Sequence, residues 1–204
     1  MNQIQEFHAF LRSRRSVRRF LPQPVPADVV QRILETALWA PSAHNRQPWR
    51  LVVVASGEIR SWLADEMGEA FRSDLLGDGL PPAQVQEQVQ RSRSRILEAP
   101  LAILVCLDLT ALDRYPDERR QRAEHLMAVQ SVAMAGQNLL LAAHAEGLGG
   151  VWMCAPLFAP HVVNQTLRLP ETWHPQGLVL LGYPARIPPE RPRKPLDEVA
   201  IFLD

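Results

Sequence analysis

The chain has 204 residues with a formal net charge of zero, 47% hydrophobic and 22% charged residues, and only two cysteines, Cys106 and Cys154. This length suits one domain with its own core, and the neutral charge gives no reason to expect nucleic acid or an anionic membrane as a partner. The cysteines have no CxxC-type spacing, so the sequence predicts free thiols and no metal site.

The first ten residues contain charged side chains and no apolar core of a signal peptide. The apolar stretches further along the chain are short or interrupted by charge, so none is expected to span a bilayer. We therefore expect a soluble cytoplasmic protein that forms one domain over residues 1–204.

The N-terminal third predicts two helices separated by a basic segment. Residues 4–11 carry apolar side chains at helical spacing, and residues 12–19 are basic and polar. A second helix is expected to open at Pro26 and to end at Ala40, because Pro41 follows and disfavours a helical residue before it.

Two continuous aliphatic runs, 49–55 and 101–107, predict buried strands. Helical patterns fill the interval between them, over 59–76 and 83–97. The predicted helices and strands alternate irregularly along the chain, so an α+β domain is expected rather than a repeating βαβ fold.

A long helix is predicted over 119–146, and it becomes nearly all apolar after Leu126. A helix that is apolar all round is buried on every side, which in a chain of this size predicts a partner subunit. The glycines from Gly147 to Gly150 end this helix, and residues 151–154 predict a short strand.

The C-terminal part predicts a helix over 156–167 and a last strand over 177–182. The remaining tail is rich in proline and arginine and ends in apolar residues, so it is expected to dock onto another surface. We expect the arm 184–204 to pack on a partner subunit.

Arg14, Ser16 and Arg18 alternate in a segment that is expected to be extended, so their side chains can converge on one anion. Arginine binds phosphate in a bidentate way. Arg191 and Arg193 alternate in the same manner near the other end of the chain. A solvated basic surface is an equally good interpretation from charge alone, whereas an RNA-binding patch is less favoured because no aromatic residues are interleaved.

Two further segments can bring backbone close to a ligand. The loop 40–49 bends at two prolines and carries small and amide residues, although an ordinary polar turn explains the same pattern. The glycines before residues 151–155 allow close backbone approach, and they also serve as the helix end.

Standard catalytic patterns such as GxSxG, HExxH and GxGxxG are absent from the sequence. The histidines at 125, 144, 161 and 174 are scattered, so each is interpreted as structural. An enzyme without its own acid–base set often takes its chemistry from a cofactor.

Four separated motifs carry a resemblance: RRSVRRF from Arg14, APSAHNRQPW from Ala40, GLG from Gly147 and LGYP from Leu181. In this order and spacing they resemble the FMN-dependent nitroreductase family over essentially the whole chain. The resemblance implies an α+β nitroreductase-like fold with a central mixed or antiparallel sheet flanked by helices. It also implies an intertwined homodimer with FMN at the subunit interface and NAD(P)H as electron donor.

The resemblance assigns roles to individual residues. The phosphate and ribityl chain fall to the arginine-rich segment and the tail, the isoalloxazine ring to the Pro41 loop, and the N5 edge to the backbone of Cys154 and Ala155. Cys154 stands where some relatives have an acidic residue. The full cofactor-binding set is Arg14, Arg15, Ser16, Arg18, Pro41, Ser42, Ala43, Asn45, Ser92, Arg95, Cys154, Ala155, Arg191 and Arg193.

A narrower likeness connects segments 129–132, 138–148 and 173–177 with the C-terminal flavin domain of the bifunctional ligase that matures the 5-deazaflavin coenzyme. The expected function is therefore hydride transfer from a reduced nicotinamide through FMN to a small organic acceptor, with the dehydro precursor of that coenzyme as one candidate. The alternatives are a general NAD(P)H nitroaromatic and quinone reductase, or a flavin-consuming or non-turnover flavin-binding protein. The flavin destructase that forms the vitamin B12 ligand shares the loop that begins at Ala40.

Overall fold

The computed structural model describes residues 2–203, and its centre is a four-stranded sheet. The strands lie in the order β1-β2-β4-β3, and each neighbouring pair is antiparallel. Their bounds are β1 Trp49–Val54, β2 Leu101–Asp108, β3 Gly149–Met153 and β4 Trp173–Gly182. The predicted α+β class is confirmed, with the antiparallel form of the sheet.

Within residues 2–203, six α-helices surround this sheet, and five follow the predicted positions closely. Their bounds are α1 Gln3–Ser13, α2 Ala27–Ala37, α3 Gly57–Gly77, α4 Pro82–Glu98, α5 Glu118–Ala145 and α6 Pro160–Leu167. The helix predicted over 156–167 is divided: a 3-10 turn, Ala155–Phe158, precedes α6. Pro160 has no N–H to continue the turn, and Ala159 before it leaves helical geometry.

The core has two parts, one on each face of the sheet. Side chains alternate along β2, so Ile103, Val105 and Leu107 face α2 and α5, while Ala102, Leu104 and Cys106 face α3, α4 and α6. Because β2 is buried on both faces, every one of its residues is apolar up to the terminal Asp108. Burial raises the pKa of the Cys106 thiol to about 12.

Strand β1 is less buried than its aliphatic sequence predicted. It forms one edge of the sheet and pairs only with β2 among the described residues. Val53 is consequently 41% exposed. The prediction of a fully buried strand is wrong here, since an all-apolar run does not distinguish an edge strand from a central one.

Helix α5 is buried on most of its surface but not on every side. Ser131, Val132, Ala135 and Leu139 are buried, while Leu126, Gln130, Met134 and Gln137 form an exposed stripe at helical spacing. By length and composition this helix could cross a membrane, contrary to the expectation from sequence, yet half of its most apolar stretch is buried inside the chain. The core helix of a soluble protein has the same properties.

Candidate functional site

The basic segment after α1 lies against the start of β3. Ser16 forms a parallel bridge with Gly150, and the Val17 N–H donates to the Gly150 carbonyl at an N–O distance of 3.1 Å. A Cβ atom at Gly149 would come within 2.7 Å of the Val17 Cβ, closer than Cβ atoms normally approach. The absence of a side chain at Gly149 therefore lets this segment lie flat on the strand.

The tail returns to the same place through backbone pairing. The Leu21 N–H donates to the Tyr183 carbonyl at 2.8 Å, and the Ala185 N–H donates to the Arg19 carbonyl at 3.0 Å. These contacts carry the prolines and arginines that follow residue 185 towards the N-terminal segment. Two stretches about 170 positions apart in sequence thus become neighbours.

Together they form a basic cavity of about 510 Å³. Its lining residues are Arg14, Arg15, Ser16, Arg18, Arg95, Pro188, Pro189, Arg191 and Arg193. Of the six guanidinium groups, that of Arg15 pairs with Glu190 at 3.0 Å. The remaining positive charge makes this cavity suited to an anion with several oxygen atoms, and a phosphate group is of that kind.

Burial and neighbouring arginines lower the pKa values of two groups in or near this basic cavity. The pKa of Arg14 is lowered by burial, then by the charges of Arg193 and Arg15. The pKa of His144 is lowered by burial and then by Arg14 and Arg15. Arginines this close together repel one another, so a bound anion would remove an unfavourable interaction.

A second cavity of about 360 Å³ adjoins the basic cavity and shares Arg18 and Arg95 with it. We call it the ring cavity. It lies between α4 and the end of β3, and its lining is completed by Phe71, Gln88, Arg91, Ser92, Val151, Trp152, Met153, Cys154, Ala155 and Leu180. The two cavities form one groove with a strongly basic end and a mixed polar and apolar end.

The end of β3 is held in place by Trp152. This side chain packs against two glycines, Gly136 on α5 and Gly177 on β4, where added Cβ atoms would lie 2.3 and 2.2 Å from the indole ring. Met153, Cys154 and Ala155 follow directly and form one wall of the ring cavity. Cys154 is a free, exposed thiol at this wall.

Ten of the fourteen predicted residues line the two cavities: Arg14, Arg15, Ser16, Arg18, Ser92, Arg95, Cys154, Ala155, Arg191 and Arg193. The structure therefore brings the basic segment, the basic tail, the end of α4 and the end of β3 into one groove.

The other four residues, Pro41, Ser42, Ala43 and Asn45, do not line this groove within one chain. Their loop lies against α5, where the Ala43 N–H donates to the Ser131 hydroxyl at 3.3 Å. The Ser42 hydroxyl accepts from the Gln47 N–H at 3.0 Å. Asn45 has φ of 53°, in the left-handed region. The expectation that this loop contacts the same ligand is not met by a single chain.

Sequence reasoning missed Phe71, Gln88 and Arg91, which also line the ring cavity. They lie on α3 and α4, and nothing in the sequences of these helices sets the three residues apart from surface residues. Only the way these helices pack above β3 brings the three side chains to the site, so no local signal could have identified them.

The histidines have two different environments. The His144 Nε2 lies 2.7 Å from the Ser13 hydroxyl and its ring stacks on Phe10, which supports the structural interpretation. His125, His161 and His174 instead line a separate cavity of about 840 Å³. Within residues 2–203, no group of three His, Cys, Asp or Glu side chains is placed to hold a metal ion.

Comparison with known proteins matches the nitroreductase family over residues 11–183. A Methanothermobacter thermautotrophicus protein assigned as an NADH dehydrogenase/NAD(P)H nitroreductase is 29% identical over 183 residues, 89% of this chain and 78% of that protein. The 5,6-dimethylbenzimidazole synthase of Rhodospirillum rubrum is 33% identical over 185 residues, 86% of this chain and 81% of the synthase.

A solved structure gives the same result at the level of the fold. A Desulfovibrio desulfuricans protein assigned as a nitroreductase, in complex with FMN, superimposes with a TM-score of 0.75 at 26% identity. The match covers 100% of this chain and 98% of that one. The predicted nitroreductase-like fold is confirmed.

Proposed function

The chain belongs to the nitroreductase family, and we propose that it is an FMN-dependent oxidoreductase that transfers hydride from NAD(P)H to a small organic acceptor. The observation that carries this proposal is the groove itself. A basic cavity lined by six arginines continues into the ring cavity, which Met153, Cys154 and Ala155 line at the end of β3.

The residues present fit FMN. The phosphate is a dianion, and Arg14, Ser16, Arg18, Arg191 and Arg193 offer guanidinium and hydroxyl donors at one end of the groove. The ring cavity of about 360 Å³ receives the edge of the isoalloxazine, and the structural relative solved with FMN supports this cofactor. When bound, the flavin supplies the hydride chemistry through its N5 atom.

The remaining groups of the ring cavity position the flavin. We assign the backbone of Cys154 and Ala155 to the N5 edge, and Ser92 with Arg95 to the pyrimidine ring. A guanidinium near that ring stabilises the negative charge that develops there when the flavin is reduced. This role requires no acid–base side chain in the wall, so a cysteine suffices at position 154.

We propose further that two copies of the chain complete each site. The loop of Pro41, Ser42, Ala43 and Asn45 does not reach the groove of its own chain, so it would contribute to the groove of a second copy. Trp39, next to this loop, is 86% exposed. The exposed stripe of α5 and the apolar end of the arm 184–204 are further surfaces that a second copy would cover.

Reconstitution with FMN tests the proposal directly. The flavin absorbance of the FMN-loaded protein is expected to fall when NADH or NADPH is added without oxygen. It should return when an acceptor is then added. A nitroaromatic, a quinone and the dehydro precursor of the 5-deazaflavin coenzyme form a suitable acceptor panel. A flavin that is reduced neither by nicotinamides nor by a reduced deazaflavin would contradict the proposal.

A second candidate function is consumption of the flavin. The 33% identity to 5,6-dimethylbenzimidazole synthase supports it. The loop that begins at Ala40 is compatible with both candidates, since it resembles the loop of the flavin destructase as well as that of the reductases. Aerobic incubation with reduced FMN separates the two candidates. Oxidised FMN is recovered in full if the protein is a reductase, whereas a flavin-consuming enzyme leaves less flavin and a new aromatic product.

The close contact at Gly149 gives a specific prediction. Gly149→Ala should push Val17 outward and move Arg14, Ser16 and Arg18 away from their common anion, because the added Cβ has no room. We expect FMN affinity to fall about 3- to 10-fold, measured by fluorescence quenching.

Gly57→Ala is the matched control, since its added Cβ would make only an ordinary contact, 3.7 Å from Arg60. Both variants should keep the wild-type circular dichroism spectrum. Equal FMN affinity in the Gly149 and Gly57 variants would show that the segment does not depend on this close approach.

A further inference from the structure

A third cavity, of about 350 Å³, opens beside the ring cavity. It lies between the end of α3, the middle of α4 and the turn after β3. Phe71, Ser92 and Ala155 line both cavities, so the two are continuous at the wall assigned above to the flavin N5 edge. We call this third space the acceptor cavity.

The walls of the acceptor cavity are largely apolar. They include Met67, Phe71, Leu75 and Phe158. Phe158 is 77% exposed, so the face of its ring is accessible to a bound molecule. An aromatic ring of a small molecule could lie on Phe158 while it also approaches Ala155.

Two carboxylates complete the lining: Asp74 lies in the last turn of α3, and Asp78 is the residue that caps the C-terminal end of this helix. Within residues 2–203 neither forms a salt bridge, whereas Asp65 on the same helix is paired with Arg93. The groove therefore has arginines at the phosphate end and two unpaired acidic groups at the opposite end. Two carboxylates at this spacing repel each other, and a cation between them would relieve that repulsion.

We propose that the acceptor cavity binds the aromatic body of the electron acceptor, and that Asp74 and Asp78 select acceptors that carry a positive charge. The substrate class is thus a flat nitroaromatic or quinone with an ammonium-type substituent. This inference rests on the proposed function and adds to it the charge preference of the same site.

The size of the preference follows from the exposure of both carboxylates. Exposed charges interact only moderately with a bound ion, because water and salt screen them. Two such groups should favour a cationic over an anionic acceptor about tenfold at low ionic strength. The preference should shrink as salt is added.

Three acceptors with the same nitrobenzyl core test this: 4-nitrobenzyltrimethylammonium, 4-nitrobenzyl alcohol and 4-nitrobenzoate. The readout is kcat/KM of the FMN-loaded protein with saturating NAD(P)H. In the Asp74→Asn/Asp78→Asn double variant, kcat/KM for the cationic acceptor divided by kcat/KM for the anionic acceptor is expected to fall about tenfold, towards one. The kcat/KM for the neutral acceptor should change much less than this ratio, and the affinity for FMN should stay at the wild-type level.

A Glu58→Gln/Glu66→Gln double variant is the control, because it removes the same total charge from α3 at positions that do not line the cavity. It should keep the wild-type ratio, and an equal fall in both double variants would overturn the inference. A wild-type protein that does not reduce the neutral acceptor would instead contradict the proposed function. Reduction of the neutral acceptor with an unchanged ratio in the aspartate variant would overturn only the charge preference.

Discussion

Replacing Arg14 with alanine is expected to weaken FMN binding about 10- to 150-fold, which corresponds to the roughly 1.5–3 kcal/mol of a charge-assisted hydrogen bond. Arg14 lines the basic cavity and is partly withdrawn from solvent, which lowers its pKa. A guanidinium in such a place has lost hydration that the phosphate replaces. Its removal therefore costs more than the loss of an exposed charge would.

Riboflavin makes this experiment specific, because it has the same ring system without the phosphate. The affinity for FMN should fall in Arg14→Ala while the affinity for riboflavin stays nearly constant, as followed by flavin fluorescence at fixed ionic strength. Arg122→Ala is the control, since Arg122 pairs with Glu118 on the exposed surface of α5. An equal loss for both flavins would place Arg14 at the ring rather than at the phosphate.

The sequence predicted well those elements whose tertiary environment matches their local composition. Residues 101–107 are apolar without interruption because β2 is the one strand that is central and fully buried along its length. The end of α5 was equally clear, because Gly147 adopts φ of 75° and its neighbour Leu148 donates to the Ala143 carbonyl. In both places local composition and tertiary environment agree.

Two predictions failed because composition does not report neighbours. The run 49–55 resembles the central strand in sequence, yet β1 lies at the sheet edge and Val53 is exposed. Helix α5 is largely apolar after Leu126, but in one chain the stripe of Leu126, Gln130, Met134 and Gln137 is exposed. An apolar sequence shows that a surface is suited to burial, and it does not identify what buries it.

The site was predicted from motifs only in part, for the same reason. The resemblance assigned Arg14 and Arg193 to the same phosphate site. Their proximity, however, depends on backbone hydrogen bonds between residues 19–21 and 183–185. Arg91 had no signal at all, because its position on α4 matters only after α4 packs beside β3. The loop at Pro41 carries a clear motif, and the single chain leaves it away from the groove.

Two glycines outside the Gly147–Gly150 segment, Gly136 and Gly177, have a structural role in this site that the sequence did not indicate. Gly136 and Gly177 are far apart in sequence, and both contact the same indole of Trp152. The ring fills the space that two side chains would otherwise occupy, and the backbone that follows it forms the wall of the ring cavity. The position of this wall therefore depends on the absence of two methyl groups.

A Gly177→Ala variant is accordingly expected to lower the free energy of unfolding by about 1–3 kcal/mol, the usual cost of overpacking a core. The added Cβ would lie 2.2 Å from the indole, and the ring cannot move away because its other part packs against Gly136, where a Cβ would also have no room. For a chain of this size the melting temperature of the FMN-free protein should fall by roughly 2–12 °C. FMN affinity should fall too, since Met153 and Cys154 follow Trp152 directly.

Gly77→Ala is the matched control, because a Cβ there meets nothing within 4 Å at the end of α3. It should be neutral or stabilising by up to about 1 kcal/mol, as alanine is the better helix former. Combining Gly177→Ala with Trp152→Leu should cost less than the sum of the two single changes by about 1 kcal/mol or more, because leucine leaves room for the new methyl group. Additive losses in this cycle would mean that Gly177 is required by the irregular pairing of β4 with β2 near Val105 and not by the indole.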